Sequence, residues 1–254
     1  MKIFLRLFKA EFIKTNKTYG FLISVLIPIF IAILQFFIFY IKHEHFAKYG
    51  INPWKVMGMN LFSILGIIVM PMYIVLITYL INFTEHQSNS WKYLFALPIS
   101  KIKIYTVKIS MTLFWVLVFC ISIIIFMYLS GFLLSLFRPD IGFQDYNINY
   151  IIFLSIFKLF LSSFGIISIQ FLFSIYWKDF IRPVGIGLTL TIAAFILSSW
   201  EYIYVLPYAH PYSIMGNYNE FNTRIFTTPI MFSLVYGIIF FIAGFNLILK
   251  KEIK

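Results

Sequence analysis

Six stretches of the chain are so evenly apolar that neither helical nor strand alternation can be read inside them: residues 20–41, 57–83, 104–134, 148–177, 183–200 and 229–249. The hydrocarbon core of a bilayer is about 30 Å thick, and roughly 20 helical residues cross it. Lipid offers the backbone no partner, whereas a helix bonds its own N–H and C=O groups. The pattern predicts six transmembrane helices, the third and fourth long enough to tilt or to project. Pro28 and Pro71 fall inside the first two and predict packing kinks, because each removes a backbone donor. Gly185 and Gly187, after Pro183, predict close helix packing in the fifth.

The polar connections differ by side. Lys2, Arg6, Lys9, Lys14, Lys17, Lys92, Lys101, Lys103, Lys108, Lys178, Arg182, Lys250, Lys251 and Lys254 fall on one side, fourteen in all; Lys42, Lys48, Lys55, Arg138 and Arg224 make five on the other. Basic loops stay in the cytoplasm, so both termini are predicted cytoplasmic, which requires an even number of crossings. Lys158 alone lies well inside a span. An intramembrane charge marks a possible substrate path, although a lysine stem can also snorkel to the interface.

Composition narrows the class. Hydrophobic residues make up 61% and charged residues 11% of the 254, against about 45–50% and about 25% in soluble domains. The fold expected is an all-α integral membrane protein, one membrane domain over residues 1–254. The basic excess, 20 Lys and Arg against 9 Asp and Glu, sits between apolar segments and reports orientation, not nucleic acid. The opening basic segment precedes an apolar run too long for a signal-peptide core, so the N-terminus is expected to be retained. Cys120 is the only cysteine and reads as packing. His43, Glu44 and His45 share a loop without a third ligand at helical spacing, and His86 and His210 stand alone, so no metal is expected. Nine scattered acids assemble no catalytic constellation. A Gly-x4-Gly-Lys-Ser/Thr loop to cradle phosphates is absent, so neither nucleotide hydrolysis nor a cofactor is expected of this chain.

Three segments outside the spans carry information. In residues 1–18, Ile3, Phe4, Leu7, Phe8, Phe12 and Ile13 recur at intervals of three and four, with Lys2, Arg6, Lys9 and Lys14 largely elsewhere. Such a helix lies in the interface against lipid headgroups. Glu11, the lone acid there, favours an additional cytoplasmic partner. The cytoplasmic connection, placed at 84–103, offers Ser88 or Asn89 as a cap for a short helix with Trp91, Tyr93, Leu94, Phe95 and Leu97, ended by Pro98. A short aromatic and aliphatic helix suits docking into a groove on a partner protein. The outer segment 201–228 carries Tyr202, Tyr204, Tyr208, Tyr212 and Tyr218 between prolines, the composition of an interfacial belt or of a substrate lid.

A basic amphipathic helix, two spans, Glu85 followed by Ser90-Trp91-Lys92-x-Leu94, Leu97-Pro98, Ser100-Lys101 and Lys108, then four spans, resembles the permease subunit of bacterial type 2 ABC transporters. Within them it is similar to the permeases of lantibiotic-immunity exporters. The resemblance implies two permeases, identical or homologous, bound to two copies of a cytoplasmic ABC ATPase. It makes the helix around Ser90, Trp91, Lys92, Leu94, Leu97 and Pro98 the coupling helix, puts Glu85 at the membrane end of that loop, and rests Glu11 on the ATPase. It places residues 201–228 as a partly re-entrant hairpin capping the outer side. ATP binding and hydrolysis would expel an amphipathic peptide from the membrane. The competing expectations are the same machine exporting bacitracin, a peptide toxin or another hydrophobic compound, an ATP-independent carrier, and a structural subunit or sensor. A carrier is expected to show ionisable residues in several spans, and here only Lys158 qualifies.

Overall fold

Uninterrupted apolarity produces helix after helix, and the computed structural model has six that are long enough to cross a bilayer: Tyr19–Ile41, Pro53–Gln87, Lys101–Phe137, Asn149–Tyr176, Ile181–Ser199 and Thr228–Lys250. The structure describes residues 2–16, 19–46, 52–88, 90–96, 98–147, 149–215 and 224–250. Asn89, Leu97, Tyr218 and the Lys92 side chain, singled out above, lie outside what is described. A helix at Lys2–Asn16 precedes the first span and a short one at Trp91–Ala96 follows the second; no strand occurs among the described residues.

The second span is longer at both ends than apolarity alone predicts. Asn52 caps it, its side-chain oxygen accepting from the backbone N–H groups of Trp54 and Lys55 at 3.0 and 3.3 Å, and Pro53 enters the first turn, where its missing N–H costs nothing. The far end runs on through Glu85 to Gln87. Pro28 sits buried inside a continuous first span. Before Pro71 the second span loosens into a π-helical turn at Leu65–Val69, with the Met70 N–H reaching back to the Leu65 carbonyl. The wider turn accommodates the proline that a tight α-helix would clash with.

The fourth span breaks at Ser163 into Asn149–Ser162 and Phe164–Tyr176. A backbone break inside lipid must be satisfied by protein. Ser233 of the sixth span does this, donating to the Ser162 carbonyl at 2.7 Å while accepting from the Gly165 N–H at 2.9 Å.

Both chain ends lie at one end of the bundle. Lys101, opening the third span, donates to the Leu249 carbonyl at 3.3 Å, and His86 near the end of the second bonds the Ser174 carbonyl at 2.7 Å near the end of the fourth. Positive charge makes this the cytoplasmic end. At the opposite end the Arg138 guanidinium lies 4.9 Å from the Tyr40 ring centre, and Trp54 donates to the Phe143 carbonyl at 2.9 Å. The tyrosine-rich segment after the fifth span divides its work. Trp200 and Tyr202 stay exposed, while Tyr208, His210 and Met215 turn inward. Tyr208 accepts a hydrogen bond from Gln170, and the backbone at Pro211 and Tyr212 lies against Gly66 of the π turn.

The two glycines of the fifth span differ. A Cβ on Gly187 would stand 2.5 Å from both Gln170 Nε2 and Val75 Cγ2, whereas one on Gly185 would meet nothing within 4 Å. Close packing holds for Gly187 and is corrected for Gly185, which faces outward. A Cβ on Gly66 would stand 2.8 Å from the Pro211 carbonyl oxygen, a backbone atom that no side-chain rotation clears. Alanine raises helix propensity by about 1 kcal/mol over glycine, and overpacking costs about 1–3 kcal/mol. We expect Gly185→Ala to raise the thermal midpoint of the detergent-solubilised protein by roughly 2 °C and Gly66→Ala to lower it. Equal shifts in the two variants would show that the Gly66 contact is not tight.

Candidate functional site: a buried charge cluster beneath the cytoplasmic loop

Four charged side chains from three helices meet beneath the loop between the second and third spans. Lys108 lies seven residues into the third span and is 1% exposed, so its ammonium needs acceptors inside the protein. It has three, one for each N–H: Glu85 Oε2 at 2.8 Å, the Ile81 carbonyl at 3.1 Å and Glu11 Oε2 at 3.5 Å. Glu85, also 1% exposed, gives its second oxygen to Lys14 and accepts a further bond from Thr84 Oγ1 at 3.1 Å. Lys14 closes the ring on Glu11 Oε1 at 3.0 Å. Two carboxylates and two ammonium groups cancel, so the cluster is neutral as a unit.

Aromatic packing delivers the N-terminal helix to this point. Phe8 and Phe12 meet Phe114 edge-on with ring centres 5.9 and 5.7 Å apart, and Phe12 stacks on Trp115 at 5.9 Å. Trp115 donates to Thr15 Oγ1 at 3.1 Å, and Thr15 in turn bonds the Glu11 carbonyl at 2.9 Å. Glu11 and Lys14 are three residues apart and share the face that this packing turns inward. Burial alone would lower the Lys14 ammonium; the Glu11 and Glu85 carboxylates outweigh it and hold the group above the ordinary lysine range. The Lys14 ammonium is therefore fully charged at neutral pH, and its contribution to the bridge is lost as pH rises through that raised value.

The loop helix forms the roof. Ser90 takes the cap position, its carbonyl accepting from the Leu94 N–H at 2.9 Å. Ser88 instead spends its hydroxyl on the Thr84 carbonyl and on Ser90 Oγ, which corrects its expected role as the cap. A helix of six residues is too short to persist unaided. Trp91 anchors it: the indole is buried, its ring centre lies 5.4 Å from the Lys108 ammonium, and the His86 ring packs beside it at 5.8 Å. His86 and Asn82 then tie the second span to Ser174 of the fourth, Asn82 donating to Ser174 Oγ at 2.8 Å.

Of the residues singled out from sequence, Glu11, Glu85 and Trp91 converge here with their polar groups or ring turned inward. Leu94 is half-buried, Pro98 is exposed, and Tyr93 stands 77% exposed on the outer side of the loop helix. Lys158 is buried in the outer half of the fourth span, roughly 24 Å along it from Ser174. Lys14 was expected as an orientation charge on the basic face of the N-terminal helix and Lys108 as an orientation charge and part of the family pattern, neither in a buried cluster. Their role had a signal: Glu85 is the only acid between Glu44 and Asp140, and an acid embedded in apolar sequence requires a cation. No group of three His, Cys, Asp or Glu able to hold a metal occurs among the described residues. The arrangement holds the N-terminal helix, the second span and the third span together.

Removing one partner of a buried pair costs about 3–5 kcal/mol, because the other charge is left behind. We expect Lys108→Met to lower both membrane yield and thermal midpoint sharply. Lys108→Met combined with Glu85→Gln leaves Glu11 paired with Lys14 and should recover most of the loss. A single variant as stable as the parent would show that these charges are not held out of water.

A family model described as ABC-2 family transporter protein matches residues 7–194, a region that takes in all four members of the cluster, the loop helix and the first four spans. No curated protein and no solved structure matches the chain. Six apolar spans and a match over most of its length agree, and the chain belongs to the ABC-2 transporter family as a multi-pass membrane subunit of the kind that associates with an ABC ATPase.

Proposed function

We propose that this chain is the permease of an exporter that expels a lantibiotic or similar amphipathic peptide antibiotic from the membrane, driven by a cytoplasmic ABC ATPase docked on the loop helix Trp91–Ala96. A second permease, identical or homologous, completes the machine. The observation that carries the docking reading is the two-sidedness of that helix: Tyr93 projects outward while Trp91 is clamped over Lys108. Force applied from the cytoplasm reaches the second span, the third span and the N-terminal helix together, because the cluster beneath Trp91 ties all three.

The docking surface on this reading comprises Tyr93, Leu94 and Pro98, with Lys92 and Leu97 as its sequence neighbours and Ser90 as its start. Glu85 and Glu11 act from beneath, fixing the height and tilt of the surface rather than meeting the ATPase themselves. The outer face of the N-terminal helix, with Leu5, Lys9 and Ile13 exposed, extends the same cytoplasmic side. Lys158 supplies a cation on the substrate path. The peptide substrate rests on the resemblance to lantibiotic-immunity permeases over residues 85–108, and protection of the producing cell would be its consequence.

A pull-down tests the docking. The parent chain should retain its ATPase through purification, and Tyr93→Ala with Leu94→Asp should lose it at unchanged permease yield. Retention by that variant, or transport by the chain with no ATPase present, would overturn the reading. Tolerance to a nisin-type peptide tests the substrate: cells carrying the whole set should survive concentrations that kill cells without it, and Lys158→Met should erase that margin. Equal tolerance with and without the set would remove the lantibiotic class.

A further inference from the structure

The cytoplasmic ends of the fourth and sixth spans leave an open groove of about 620 Å³, lined by Tyr176, Ala243, Asn246, Leu247 and Lys250. Asn246 and Lys250 are four residues apart and share one face of the sixth span, while Gly244 and Ile248 take the inward face. Ala243 and Leu247 continue the same groove toward the hydrocarbon, one turn deeper. Its mouth thus gathers an ammonium, an amide and a phenol, and its floor is apolar. Among the described residues the Asn246 amide and the Lys250 ammonium have no partner within the protein, although an amide at a lipid-facing helix end gains by finding one.

Charge complementarity selects the occupant. The groove lies at the basic end of the bundle, has no carboxylate among its described lining residues, and belongs to a chain of formal net charge +11. A second copy would bring the same positive charge to it. An anionic headgroup gains from the charge, and an acyl chain gains from the apolar floor; basic pockets between spans on the cytoplasmic side suit this ligand chemistry. We propose that the groove binds an anionic phospholipid of the cytoplasmic leaflet, its phosphate held by Lys250, Asn246 and Tyr176 and one acyl chain laid along Ala243 and Leu247. The lipid would rest on the half of the fourth span that carries Ser174, and so would steady the partner of Asn82 and His86.

Native mass spectrometry of the full-length chain, with phosphatidylglycerol and phosphatidylcholine of identical acyl chains, tests the site. One lysine near a membrane surface is worth about 1 kcal/mol toward an anionic lipid, or about fivefold. The parent should prefer phosphatidylglycerol by about that factor or more. Lys250→Gln with Asn246→Leu should bring the ratio to near unity at unchanged thermal midpoint in phosphatidylcholine alone, and Lys9→Gln on the exposed N-terminal helix should preserve the preference. Equal binding of the two lipids by the parent, preference retained by the double variant, or preference lost in Lys9→Gln would each overturn the proposal. So would a dimer of the chain that the double variant dissociates, which would place a second copy in the groove.

Discussion

Everything at the cytoplasmic end depends on the neutrality of the Glu11, Lys14, Glu85 and Lys108 cluster. None of these groups can be held out of water alone, because an isolated buried charge costs far more than a folded domain can spare. Together they cancel, and each ammonium is also positioned by hydrogen bonds. The N-terminal helix therefore cannot leave without taking one charged partner from each of Lys108 and Glu85, and the loop helix cannot lift without uncovering them. A weak helix of six residues and an interfacial helix of fifteen acquire fixed positions from four side chains.

The second span packs against the first, third, fourth and fifth. Its cytoplasmic end supplies Glu85, His86 and Asn82, its middle stacks Tyr73 on Phe119 of the third span with ring centres 4.0 Å apart, and its outer half carries the π turn against the backbone of Pro211 and Tyr212. Tyr73 also hydrogen-bonds Ser24 of the first span at 2.7 Å and the Trp115 carbonyl at 2.8 Å. Polar contacts of this kind substitute for the hydrophobic driving force that lipid does not provide between helices.

How much of this was legible follows from what each feature depends on. The six spans depend on composition within each segment, and a window along the chain finds them. Asn52 and Pro53 were a readable cap, and reading them would have moved the second span's start outward to where it lies. The break at Ser163 was not readable, because the residue that makes it tolerable, Ser233, is seventy positions away. The charge cluster was half legible. Glu11 and Glu85 stood out, yet Glu85 was read as the membrane end of a docking loop and Glu11 as resting on the ATPase; the inward turn of Glu11 depends on Phe8 and Phe12 packing on Phe114 and Trp115, a tertiary fact. The tyrosines after the fifth span share one composition but have two fates, set by Gly66 and Gln170, which offer room and a donor to the inserted half.

The serine that bridges the broken fourth span has a mechanical meaning as well. With one hydroxyl bonded on both sides of the break, neither half of that span can swing independently unless the bond to the sixth span is given up. The fourth and sixth spans are thus tied at mid-membrane, where they pack along each other, and parting either half of the fourth from the sixth breaks a bond that lipid cannot replace.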